Sequence, residues 1–67
     1  MAFVVKATSK SGNVTWLAFA DERGFHTFGT RQMAETFRSV EDAEIAINKM
    51  QRAFSAKGFV FSIESAE

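Results

Sequence analysis

Between Ser39 and Gly58 the chain carries its one long amphipathic pattern, and every other element has to pack against it. Val40, Ala43, Ile47, Met50 and Phe54 recur at three- and four-residue steps, forming an apolar stripe that Ala46 and Ala53 widen. Ser39, with Glu41 and Asp42 in the first turn, fits an N-cap. Its hydroxyl and those carboxylates suit the unpartnered N–H groups and the positive end of the helix dipole. Lys49, Arg52 and Lys57 gather toward the other end, and Gly58 supplies a residue able to turn left-handed just past it. Such a helix, about 17 residues at 1.5 Å each, is roughly 25 Å long. A seven-residue strand is roughly 23 Å, so one helix can cover one face of a small sheet.

The rest of the chain reads as strands. Ala2 to Thr8 and Val14 to Ala20 are rich in β-branched and aromatic residues, and each ends in a polar turn that carries a glycine, Gly12 and Gly24. These two strands are expected to pair antiparallel. Residues 24–31 read either as a short strand or as a loop pinned to the core by Phe25 and Phe28. Met33 to Phe37 reads as a third strand leading into the helix. After Gly58, Phe59, Phe61 and Ile63 alternate with Val60, Ser62 and Glu64, the clearest period-two pattern present. The expected fold class is α+β: a single four-stranded mixed sheet (β-β-β-α-β) with one helix packed on one face, residues 1–67 forming one small domain. Short connections would make the last strand parallel to the first and third, in the order 3-2-1-4 or beside strand three. The expected core is Phe3, Val5, Phe37, Ile47, Met50, Phe54, Phe59, Phe61 and Ile63.

Parity singles out Trp16. Adjacent strand residues point to opposite faces, so Trp16 and Leu17 separate. A three-residue loop, Lys10-Ser11-Gly12 with Gly12 left-handed, would set Val5 against Leu17 and Phe3 against Phe19, all four under the helix. Trp16 then lies on the uncovered face with Val4, Val14, Ala18 and Val60. A two-residue turn would shift the register by one and expose Leu17 and Phe19 instead. An apolar cluster with a tryptophan at its centre is a common interface anchor, and Trp16, Val4, Val14 and Val60 are therefore the candidate partner-binding residues. The competing arrangement folds Phe25 or Phe28 over Trp16 and covers the face internally. On the helix, Ile45 lies off the stripe and is expected to face solvent.

Composition narrows the function classes. A chain of 67 residues buries only roughly 60% of its unfolded surface, so it needs a dense core or a partner. Eight phenylalanines and one tryptophan serve both. With no cysteine, disulfides and thiolate zinc sites are excluded, and one histidine argues against an imidazole metal cage. Eight basic and eight acidic side chains cancel, which removes the basic excess of a duplex nucleic-acid binder. No apolar run approaches a membrane span or signal core, so a cytoplasmic protein is expected.

Catalytic signals are thin. Ser9, Ser11 and the threonines have only His26 as a base, and His26 has Asp21 or Glu22 as its nearest carboxylates in sequence. No spacing orients these groups, and the expected role of His26 is that of a solvated loop residue. Gly24-Phe-His-Thr-Phe-Gly29-Thr30-Arg31 resembles a phosphate-binding loop superficially, but Thr30 stands where the lysine belongs and no helix follows. No catalytic residue, metal ligand set or cofactor is expected.

The run Ala34-x-x-Phe37-x-Ser39-x-Glu41-Asp42-Ala43 resembles strand-to-helix junctions of many small bacterial and phage proteins, which implies a bacterial or prophage origin and says nothing about activity. Two function classes remain as expectations. One is a small non-enzymatic interaction protein, most simply a homodimer, that meets protein through the open sheet face. The alternative is a single-stranded nucleic-acid-binding module that stacks bases on sheet aromatics, aided by Lys6, Lys10, Arg23 and Arg31.

Overall fold

Ser39 starts the helix as its sequence context requires. Its backbone is extended (φ −148°, ψ 163°), and its Oγ accepts a hydrogen bond from the Asp42 N–H at 3.1 Å. The helix α1 runs over Val40–Gln51, with Glu41 and Asp42 in its first turn and Lys49 in its last. The computed structural model describes residues 1–52 and 58–66. Ala53, Phe54 and Lys57, which periodicity assigns to the same helix, lie outside the described residues. Removing the cap bond by Ser39→Ala should lower stability by about 0.5–2 kcal/mol in thermal melts. Ser11→Ala, in an exposed turn where Ser11 Oγ meets only Ser9 and Asn13, should leave them nearly unchanged.

Four strands complete the fold: β1 (Phe3–Thr8), β2 (Val14–Ala20), β3 (His26–Gly29) and β4 (Val60–Ser65). They form one α+β sheet in the order β3-β2-β1-β4, and α1 packs on one face. The hairpin between β1 and β2 has the three-residue loop expected from Gly12, whose φ is +90°. Lys6 pairs with Trp16 and Thr8 with Val14, the same register that sets Val5 opposite Leu17. Asp21 builds the next turn. Its Oδ1 accepts from the N–H groups of Arg23 and Phe25, at 2.9 and 3.0 Å, while Gly24 takes a φ of +85°. The Phe25 bond, helped by Arg23, holds the Asp21 carboxyl below its ordinary pKa.

The third strand is not where the hydrophobic pattern suggested. It is His26–Gly29, in the segment readable as strand or loop; Met33–Phe37 instead forms part of a short 3₁₀ turn (Arg31–Met33) and an extended crossover. The crossover exists because β2 splays away from β1 beyond Trp16 and leaves backbone groups to be satisfied. Leu17 O accepts from Glu35 N–H at 2.9 Å, and Phe37 exchanges two bonds with Phe3, at 2.7 and 2.9 Å. Phe37 runs antiparallel to Phe3, so this segment adds one pass across the molecule. That pass reverses the direction in which the helix and the last strand run. β4 is antiparallel to β1, from Phe3↔Ser65 to Thr8↔Val60, and the sheet is wholly antiparallel rather than mixed.

The core lies between α1 and the sheet. Val5, Leu17, Phe37, Ala43, Ala46 and Met50 are buried together, and Phe25, Phe28, Ile47, Phe61 and Ile63 pack partly buried against them. Phe28 and Phe59 stack at 4.8 Å over this face. Ala43 and Ala46 let the helix lie close to the strands, which centres the buried stripe there and leaves Val40 exposed. Ile45, 65% exposed, faces solvent as its helical angle requires.

Phe19 departs from expectation: it is 69% exposed instead of lying under the helix. Leu17 pairs with Phe28 but Ala20 pairs with His26, so β2 holds one extra residue against β3. Such a bulge breaks the strict alternation, turning Phe19 away from the helix.

Candidate interaction surfaces

Register assigns the face of the sheet away from α1. Direct cross-strand partners share a face, so Val4, Lys6, Thr8, Val14, Trp16, Gly29, Val60, Ser62 and Glu64 all belong to it. The candidate residues Trp16, Val4, Val14 and Val60 thus do share one side, but not one environment.

Part of this face is roofed by the crossover. The Arg31 guanidinium lies 5.2 Å from the centroid of the Trp16 ring, and its Nη2 donates to Ala66 O at 3.1 Å. Ala66 in turn donates to Ala2 O at 2.9 Å, so Arg31 spans from β2 to the end of β4 across the level of Val4. Gly29 faces the same side, and a Cβ there would meet the Met33 side chain at 3.4 Å. Val4 and Ala18 are fully buried and Trp16 is half-buried. Val4 therefore offers no surface to a partner. The roof is not made by Phe25 or Phe28, both of which pack on the helix side.

The other part of the face is open. Thr8 pairs with Val14 on one side and Val60 on the other, giving a cross-strand row in which Val14 is 47% and Val60 70% exposed. Lys6 and Glu64 approach to 3.8 Å beside it.

A groove of about 440 Å³ runs between α1 and β4, lined by Glu44, Ile47, Asn48, Phe61, Ser62 and Ile63. The period-two signal of β4 points to these strand residues, and the expected order 3-2-1-4, which the sheet adopts, places β4 at its edge.

His26 is a strand residue with its side chain largely buried, not a solvated loop histidine. Its Nδ1 lies 2.7 Å from Ala18 O and 3.9 Å from Glu35 Oε1. A carbonyl only accepts, so Nδ1 carries the hydrogen. The ring meets Phe37 edge-on at 5.6 Å, and the His26 N–H donates to Met50 Sδ at 3.3 Å. Asp21 is engaged in its own turn, and the Ser9 and Ser11 hydroxyls bond each other in the hairpin loop at 2.9 Å. The hydroxyl, imidazole and carboxylate are therefore held by separate partners. A cleft of about 380 Å³ beside His26 brings Glu35, Arg38, Asp42 and Lys49 together, though Lys49 Nζ donates to Arg23 O at 3.0 Å. Among the described residues no three histidine, cysteine or acidic side chains group as a metal site, and no helix is long and apolar enough to cross a membrane.

The basic candidates are dispersed. Lys6 pairs with Glu64, and Lys10 stands exposed on the hairpin loop. Arg23 bonds Asp21 at 3.2 Å and lies over Phe25, and Arg31 is committed to Trp16 and Ala66. The roles of Arg31 and Glu35 had no signal in the sequence, since both follow from where β2 splays.

No family model, curated protein or solved structure matches the chain.

Proposed function

We propose that this chain is a small non-enzymatic interaction protein, of bacterial or prophage origin, whose contact surface is the open part of the far sheet face. The observation that supports this is the Val14–Thr8–Val60 row, with both valines exposed. Side chains of this kind gain by leaving water, at roughly 25 cal/mol per Å² of apolar area, and gathered in one row they offer a partner more than scattered residues do. The half-buried Trp16, pinned by Arg31, borders the row and gives it a rigid wall.

The nucleic-acid reading has less support. Base stacking needs an accessible aromatic face and a basic track along the backbone path. Arg31 lies over Trp16, and the four basic candidates sit on β1, the hairpin loop, the β2–β3 turn and the crossover.

A photoreactive benzophenone side chain in place of Val14, with one in place of Glu22 as control, tests the surface in cells that carry the chain. Protease-sensitive adducts at Val14 and none at Glu22 are expected. Nuclease-sensitive adducts would transfer the assignment to nucleic acid, and equal labelling at both positions would reject the face.

A further inference from the structure

We infer that two copies of this chain join edge to edge along β4, antiparallel about a twofold axis at Ser62, extending the sheet from four strands to eight. This contact is separate from the far-face row and does not rest on it.

The backbone of β4 is set up for such a contact. In an antiparallel ladder, alternate residues direct both N–H and C=O to the same side. Phe3 exchanges its bonds with Phe37, away from β4, and Ala2 O accepts from Ala66, so the β1 residues that bond β4 are the even-numbered ones. Their partners are Val60, Ser62 and Glu64, which leaves Phe61 and Ile63 with their N–H and C=O groups directed outward. Among the described residues β4 pairs only with β1. The devices that usually protect such an edge are missing from the strand: it has no proline and no bulge. Its one charge, Glu64, points to the far face toward Lys6.

The occupant follows from self-complementarity. For both helices to lie on the same side of a continuous sheet, residues facing each other must share a face. A twofold axis at Ser62 meets that condition. It sets Phe61 against Ile63 of the second copy and Ile63 against its Phe61, so the outward groups of these residues satisfy each other in four bonds. Both apolar pairs fall on the helix side, where Ile47 and the groove beside β4 receive them. The opposite orientation, helix against bare face, would set Phe61 and Ile63 beside the polar Ser62 and Glu64. Eight positive and eight negative side chains leave no net repulsion between copies. The dimer would carry both Val14–Thr8–Val60 rows on one side, leaving them available to a further protein.

The chain has no cysteine, so one substitution gives one thiol. At the axis, Ser62 would face its own copy in a non-hydrogen-bonded pair with Cα atoms ~4.5 Å apart, within disulfide range. Mild oxidation of dilute Ser62→Cys protein should give a covalent dimer nearly completely, with the wild type sedimenting as a dimer. Glu64→Cys and Val14→Cys should stay largely monomeric by non-reducing mass. Equal cross-linking of Ser62→Cys and Glu64→Cys, or a monomeric wild type, would overturn the edge contact. Efficient cross-linking through Val14→Cys instead would move self-association to the far face and also overturn it.

Discussion

Leu17→Ala is expected to cost about 2–5 kcal/mol, close to the whole stability of the protein. A chain of 67 residues has roughly 3–10 kcal/mol to lose, at about 0.05–0.15 kcal/mol per residue. Leu17 is fully buried where three parts of the structure meet: Val5 and Phe28 in the sheet, Phe37 from the crossover, and Ala43, Ala46 and Met50 on the helix. Its carbonyl also accepts the Glu35 N–H, so the backbone that carries it is tied to the crossover. The hole left by truncation cannot be filled by its neighbours. The alanines are too short to reach it, and Phe37 is fixed by its two bonds to Phe3. Ile47 sits at the middle of the helix stripe by periodicity but is only half-buried beside the β4 groove. Ile47→Ala should therefore cost less than Leu17→Ala, because its removal enlarges a groove and leaves no closed cavity. Urea melts of the two variants check this order, and a larger loss at Ile47 would place the centre of the core wrongly.

What could be read from the sequence was local. Ser39 caps the helix because a hydroxyl followed by Glu41 and Asp42 satisfies that end with no help from the rest of the chain. Gly12 fixes the first hairpin because only a left-handed loop residue closes three residues between β1 and β2, and that closure sets the faces of Val5, Leu17, Val4 and Trp16. Ile45 could be placed from the helical angle alone.

What could not be read depends on competition between distant segments. Met33–Phe37 has as good a strand composition as His26–Gly29, yet the shorter segment takes the position beside β2 because the Asp21 turn delivers it there. Once that position is filled, the later segment serves the backbone groups of Leu17 and Phe3. The direction of β4 then follows from counting one more pass. The bulge before Ala20 is equally hidden, and it alone moves Phe19 off the helix face. The candidate site inherits these shifts. Parity puts Trp16, Val4, Val14 and Val60 on one side, as the strand register does, but it carries no information about a roof over half of them.

That roof makes Val4 and Val14 opposites, although they share a face. Val4→Asp should unfold the protein at neutral pH. A carboxylate there would replace a fully buried side chain beside Glu64, and the two cations on that face are already engaged, Lys6 with Glu64 and Arg31 with the Trp16 ring and the Ala66 carbonyl. Unpaired buried charge belongs to the small class of substitutions costing more than about 4 kcal/mol. Burial disfavours the charged form, so the introduced carboxyl would titrate above its ordinary pKa and folding should recover as the pH is lowered through that raised value, while the Asp21 carboxyl, held below its ordinary pKa, stays charged. Val14→Asp should change the melting free energy by no more than about 0.5 kcal/mol, because water already reaches that position. Circular dichroism melts of both variants at neutral and mildly acidic pH distinguish the possibilities. If Val4→Asp were as stable as Val14→Asp, the Arg31 crossover would not close over β1, and Val4 would rejoin Val14 and Val60 as accessible surface.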